Sequence, residues 1–148
     1  MMDAIWCEGA LTGLVNNAAA NLIAPTKDLS PRDRRAVTST VMDGSFHATL
    51  AAEKCWISRG RKRSVVNNLV TWVWTGAAFV VPSAMDKTLL HAMTMSLAVE
   101  WGRYGIRLNA TAPGPSPTES AWERLNRVQT RTPRRRGLIR SRSAATVG

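Results

Sequence analysis

Ser83 and Lys87 stand four residues apart in the stretch Val-Val-Pro-Ser-Ala-Met-Asp-Lys that begins at Val80. On a helix that spacing puts both side chains on one face. A hydroxyl and an amine presented together at a helix start form a candidate catalytic pair, one offering a hydrogen bond and the other a charge with three donors. The elements that position them can be read on either side. Pro82 suits a first helical turn and Ser83 can cap it. Leu90, Met93, Leu97 and Trp101 then recur at three- and four-residue steps as an apolar face, with Thr94 a polar interruption on the same side. Gly105 is placed as a left-handed C-cap, and residues 106–112 read as a buried strand that runs into Pro113-Gly114-Pro115.

Upstream, residues 3–11 suggest a short helix, and residues 14–18 a strand apolar on both faces, as buried parallel strands are. Ser30-Pro31 with Asp33 has the form of a capping box and starts a helix expected to reach about Ser58, with Gly44 a weak point. Gly60-Arg61-Lys62-Arg63 is a basic turn, residues 64–70 a second strand, and residues 71–81 a loop holding Trp72, Trp74 and Phe79. Strand, helix, strand, helix, strand defines an α/β class with a parallel sheet and right-handed crossovers. Ligands in such sheets bind beyond the carboxyl ends of the strands. That gathers Asn16 to Ala19, Thr71 and Trp72, and Pro113 to Pro115 around one crevice, with Ser83 and Lys87 at its rim.

These residues carry a family resemblance. Lys87, Ile106-Arg107-Leu108-Asn109 and Pro113-Gly114-Pro115 match the second half of a short-chain dehydrogenase/reductase, and Leu14-Val15-Asn16-Asn17-Ala18-Ala19 resembles that family's N-N-A-G strand end. Pro113-Gly114-Pro115 with Thr118 is similar to its cofactor-contacting turn. Ser83, where most members have tyrosine, is similar to the 2,4-dienoyl-CoA reductase branch. The resemblance covers residues 10 to 126 and implies a partial Rossmann-like sheet of three strands, without the N-terminal cofactor half or the last strand. It implies NADP or NAD as cofactor, contacted by Asn16, Ala18, Lys87, Pro113, Gly114 and Thr118, and an acyl-CoA substrate reduced by hydride and then protonated. Four residues take catalytic places. Lys87 orients the cofactor ribose. Ser83 can hydrogen-bond but is far too weak an acid to replace a phenol. Trp72 falls where the dienoyl-CoA reductases carry a tyrosine, and Asp43 where the family has an asparagine in the long helix. Thr71 lies one residue from the family's active-site serine. Plain alternatives stand beside these roles: a surface charge for Asp43, a helix cap for Ser83, and a core or acyl-pocket wall for Trp72 and Trp74, which point to one side if extended. Asn16 and Asn17 are expected to tie adjacent strands.

No G-x-G-x-x-G occurs in the 148 residues, so the amides that cradle a pyrophosphate at a helix N-terminus are missing. Weak or no binding of NADPH or NADH is therefore expected of this chain, with two unpaired sheet edges that invite association. A non-catalytic remnant docking to a full-length relative is the rival reading, and a homo-oligomer is an implied partner. The net charge of +10 divides unevenly: residues 127–148 hold seven arginines and no acid, leaving the body near +3. This splits the chain into a domain over 1–126 and a basic, disordered tail that can bind nucleic acid weakly through phosphates. Cys7 and Cys55 offer no metal or disulfide pattern, and His47 and His91 stand apart, so no metal site is expected. No leader and no apolar run near 18 residues is found, which points to a cytoplasmic protein without a membrane span.

Overall fold

A computed structural model of the protein describes residues 11–114, all within one compact unit that spans Met1–Ser116. The expected helix at 3–11, Pro115, Thr118, the boundary at 126 and the basic tail lie outside or largely outside the described residues. Three strands, β1 (Gly13–Asn16), β2 (Arg63–Asn68) and β3 (Ile106–Thr111), form a parallel sheet in the order β1-β2-β3. Between β1 and β2 run α1 (Pro31–Thr38), a π turn over Ser39–Asp43 and α2 (Gly44–Ser58); between β2 and β3 run a four-residue helix α3 (Trp72–Thr75) and the long α4 (Val81–Trp101). The three-stranded parallel sheet is the one expected from the sequence.

Local chemistry sets the helix bounds. Ser30 caps α1: its Oγ accepts from the Asp33 amide, and the Asp33 carboxylate accepts from the Ser30 amide, a complete capping box with Pro31 behind it. The weak point expected at Gly44 takes the form of the π turn directly before it, so the helix widens without breaking. Gly105 closes α4 and its following 3-10 turn at φ 71°. A side chain there would also meet the Lys62 stem, 2.7 Å from the position of a Cβ, so glycine is required twice over.

Two expectations fail here. Residues 71–81 are not all loop: Trp72 to Thr75 form a helical turn, so Trp72 and Trp74 do not share a side. Trp74 is exposed and meets the edge of His91 at 5.5 Å, while Trp72 is half-buried. Nor is β1 buried on both faces. Leu14 and Asn16 face the helices, but Val15, on the other side of the pleat, is 65% exposed, and Arg107 and Asn109 of β3 are exposed with it. Among the described residues the helices cover one face only.

That face holds the core in two parts. Ala52 and Trp56 of α2, Val65, Ile106 and Leu108 of the sheet and Trp101 of α4 form the first. Trp56 also donates from Nε1 to the Leu11 carbonyl. Leu69, Leu90 and Met93 form the second, nearer the carboxyl ends of the strands, with Met42 and Val73 against it. Between them lies a band of buried polar side chains.

Candidate active site

The carboxyl ends of β1, β2 and β3 are stitched together by side chains. Asn16 and Asn67 are register partners, and the Asn16 Nδ2 donates to Asn67 Oδ1 at 2.7 Å and to Thr49 Oγ1 of α2 at 2.8 Å. One residue on, the pleat turns the next pair to the other face, where Asn68 Nδ2 donates to Asn17 Oδ1 at 2.6 Å and Thr111 Oγ1 donates to Asn68 Oδ1 at 3.3 Å. The expectation that Asn16 and Asn17 tie adjacent strands is met by these bonds. The Leu69 amide reaches the Thr111 carbonyl, which extends the β2–β3 pairing to the site.

Lys87 comes to this edge from α4. Its side chain is 4% exposed, and Nζ donates to the carbonyls of Asn68 at 2.5 Å and Ala18 at 3.3 Å. The ammonium thus bridges the last residue of β2 and the chain just past β1, with one of its three N–H groups left over among the described residues. Burial holds its pKa below the ordinary 10.5, because desolvation disfavours the charged form. Ser83, one turn earlier on the same face, is buried, and among the described residues its hydroxyl has no hydrogen-bond partner. It is not the helix cap: Val80 holds the N-cap position, Pro82 sits in the first turn, and Ser83 is the third helical residue. The cap reading fails because the helix starts three residues earlier than a Ser83 cap requires, which frees the hydroxyl from capping.

The structure brings Asn16, Ala18, Lys87 and Ser83 together. Trp72 begins α3 just beyond β2, half-buried, and Thr71 precedes it. Pro113 and Gly114 follow β3, exposed. Asp43 closes the π turn and is exposed, and among the described residues no side-chain hydrogen bond joins it to this group. Its charge instead falls on Asp86, which sequence reasoning passed over. Asp86 is fully buried against α1, where Oδ1 accepts from Thr38 Oγ1 at 3.2 Å and lies 4.0 Å from an Arg34 nitrogen, while Oδ2 has no partner among the described residues. Desolvation raises its pKa above the ordinary 3.8, with the Asp43 charge adding to the rise. Asn67, Thr49 and Thr94 were missed as well. For Thr94 the sequence held a signal, a hydroxyl inside an apolar stripe. Among the described residues there is no group of three or more His, Cys, Asp or Glu that could hold a metal, and no helix long and apolar enough to cross a membrane.

A sheet whose strand ends are pinned by asparagines, and a lysine clamped between two of those ends, define the carboxyl edge of an α/β parallel-sheet core. The family model described as enoyl-(acyl carrier protein) reductase matches residues 2–146, and the chain belongs to the short-chain dehydrogenase/reductase family. It is similar to a probable 2,4-dienoyl-CoA reductase of Bacillus subtilis, 40% identical over 124 residues, or 83% of this chain and 49% of the relative. A crystal structure of a short chain dehydrogenase from Bacillus anthracis superposes with a TM-score of 0.75 at 43% identity, covering 78% of this chain and 47% of that one. An NAD+-bound xylitol dehydrogenase superposes with a TM-score of 0.81 at 25% identity, covering 90% and 52%. The chain thus spans about half the length of the relatives it matches, and the family to which it belongs works with a nicotinamide cofactor.

Proposed function

We propose that these residues form the lysine-bearing, substrate-side half of an NAD(P)-dependent reductase acting on a 2,4-dienoyl-CoA. The observation that carries this reading is the Lys87 clamp: a buried ammonium fixed by the Ala18 and Asn68 carbonyls, with one N–H to spare, at the carboxyl edge of a parallel sheet. That donor set fits a ribose hydroxyl. It does not supply a pyrophosphate cradle, since no glycine-rich turn occurs in the 148 residues, and the phosphate contacts are not offered by this chain. When bound, a reduced nicotinamide supplies hydride to the conjugated acyl group.

The remaining chemistry falls to this chain's own side chains. Lys87 holds the cofactor sugar and places a positive charge beside the developing dienolate. Ser83 donates a hydrogen bond to the acyl oxygen, a ground- and transition-state contact worth about 0.5–1.5 kcal/mol. Asn16, Ala18, Pro113, Gly114 and, outside the described residues, Thr118 border the cofactor. Trp72 walls the acyl side. An indole N–H donates a hydrogen bond but is no practical acid, so proton delivery to the dienolate rests on solvent or on Asp43. The uncovered sheet face, with Val15 exposed, and the edges of β1 and β3 support a second reading, in which this chain completes its sheet against a longer relative.

The test is a completed protein, the N-terminal half of the Bacillus subtilis relative fused ahead of residue 11, assayed for dienoyl-CoA-dependent oxidation of NADPH and NADH. Trp72→Tyr restores a phenol, so turnover is expected to rise and to gain a new alkaline pH dependence. A fusion that binds NADPH and still fails to oxidise it with any dienoyl-CoA sinks the substrate assignment. The same turnover with and without Trp72→Tyr, together with its loss on Asp43→Asn, moves the proton donor to Asp43.

A further inference from the structure

The buried polar band between the two core clusters has a direction, and its direction is set by one proton. Thr94 sits on the inner face of α4 between Leu90 and Leu97. Its Oγ1 donates to the Leu90 carbonyl at 2.8 Å, so toward the sheet it can only accept. Asn67 must then present its amide nitrogen to Thr94, and it does so at 2.7 Å. That leaves Asn67 Oδ1 facing β1, where Asn16 must in turn present its own nitrogen. The second Asn16 N–H ends the relay on Thr49. All four side chains are buried, where a reversed amide would set donor against donor and cost the full desolvation of both groups.

Each asparagine of the relay lies immediately before the chain that holds Lys87. Asn67 precedes Asn68, whose carbonyl takes one Nζ hydrogen, and Asn16 lies two residues before Ala18, whose carbonyl takes another. We infer that Thr94, acting through Asn67 and Asn16, is a positioning residue for Lys87: it fixes the relative advance of the β1 and β2 ends, and hence the convergence of the two carbonyls on the ammonium. Lys87 is on the same helix, seven residues earlier, so α4 supplies both the charge and the hydroxyl that aligns its cage. The role of Lys87 toward cofactor rests on the reading above; the alignment of its cage does not.

The full chain has four lysines, Lys27, Lys54, Lys62 and Lys87, so lysine labelled at Cε and Nζ gives a spectrum in which Lys87 is identified by its loss in Lys87→Arg. Its titration is followed by NMR without cofactor. In Thr94→Val, which keeps the volume and removes the acceptor, the two carbonyls no longer converge, the buried ammonium loses hydrogen bonds that favour its charged form, and the Lys87 pKa is expected to fall further below its ordinary value. Thr94→Ser, which restores the hydroxyl, returns it. Thr49→Val, at the far end of the relay, gives a smaller fall in the same direction. Val65→Ala, in the other core cluster, lowers thermal stability and leaves Lys87 unmoved. An unchanged Lys87 titration in Thr94→Val overturns the assignment, as does an equal change in Val65→Ala, which would make the effect one of general loosening. Should Thr94→Val give no folded spectrum, Thr49→Val decides by the same criterion. Adding NADPH to the completed fusion is a separate arm: a silent Lys87 signal in a fusion that binds NADPH would count against the cofactor role alone and leave the relay standing.

Discussion

Asp86 and Lys87 are neighbours in the chain, both buried and both charged by composition, yet they occupy opposite kinds of site. Lys87 reaches across to the sheet end and finds two carbonyls. Asp86 turns against α1, finds Thr38 and a distant Arg34, and leaves one carboxylate oxygen without a partner among the described residues. Burying a charge is tolerable where hydrogen bonds replace its hydration, and costly where they do not. The lysine environment is therefore built to hold a charge at a chosen point, and the aspartate environment tolerates one. The difference separates a residue of the reaction from a residue that merely lies beside it.

The sharpest break of this contrast is functional. In the completed protein, Lys87→Ala should lower nicotinamide-dependent turnover by about 10–100-fold, the loss of one charge-assisted hydrogen bond at about 1.5–3 kcal/mol. Asp86→Asn should leave turnover within about twofold, since each 1.36 kcal/mol is tenfold and no Asp86 contact reaches the site. A steady-state assay of both variants decides. Comparable losses would mean that the α1–α4 interface is coupled to the site.

Next in size is stability, where the two residues run in opposite directions. Asp86 has a raised pKa in the folded state, so folding is penalised as pH rises from the unfolded value near 3.8 through the folded one, and the penalty is constant above that. Asp86→Asn removes it while keeping an acceptor for Thr38. Thermal melts at pH 7 should show the variant more stable by about 1 kcal/mol, the scale of an uncompensated buried polar group, with the gain vanishing toward pH 3.5. Lys87 has a lowered pKa, so its own burden is present at neutral pH and is relieved as pH rises toward 10.5. Lys87→Met should flatten the alkaline side of the profile and leave the acid side unchanged. A pH-independent gain in Asp86→Asn would show that the charge is not what is being relieved.

Much of this was legible in the sequence, and the misses have physical causes. The order and direction of the strands follow from alternation of apolar runs with helical periodicity, and the Ser30 capping box from residue type and spacing alone. Gly105 was recognisable because a helix end followed at once by a strand needs a left-handed residue. Lys87 was found by its family pattern, but its two carbonyl partners belong to the backbone and leave no side-chain signature. Asp86 was overlooked because a carboxylate between a methionine and a lysine reads as a solvent-facing charge. The outer side of α4 was likewise opaque: Val81, Met85, Leu89, Met95 and Val99 are all exposed, Val99 by 86%, and they share a face that periodicity counts from one side only.

That outer face sets up a smaller effect. From Val81 to Val99 the charged residues of α4 are Asp86 and Lys87, both turned inward, so the solvent side carries no charge at all. An apolar surface of this length marks an association face. Val99→Glu should shift sedimentation of the full chain toward a smaller species while leaving the folding stability of that species within about ±0.5 kcal/mol, as is typical of surface changes. Unchanged sedimentation would place any self-association elsewhere, on the sheet edges or the uncovered face.

The smallest effect sharpens the contrast most. Asp43 is exposed and forms no bond to Asp86, yet its charge adds to the rise in the Asp86 pKa. Asp43→Asn should therefore lower the Asp86 titration midpoint slightly and raise stability at neutral pH by less than Asp86→Asn does. The effect should fade as salt is raised from 20 mM to 1 M, where the screening length falls to about 3 Å. Because it acts through the Asp86 charge, it should disappear in an Asp86→Asn background, and a double-mutant cycle measures that coupling directly. If the gain persists when Asp86 is already neutral, it comes instead from the π turn itself, which Asp43 ends directly ahead of Gly44. Asp43 would then be a structural residue of the long helix, and the case for it as a proton donor would be lost along with its electrostatic tie to α4.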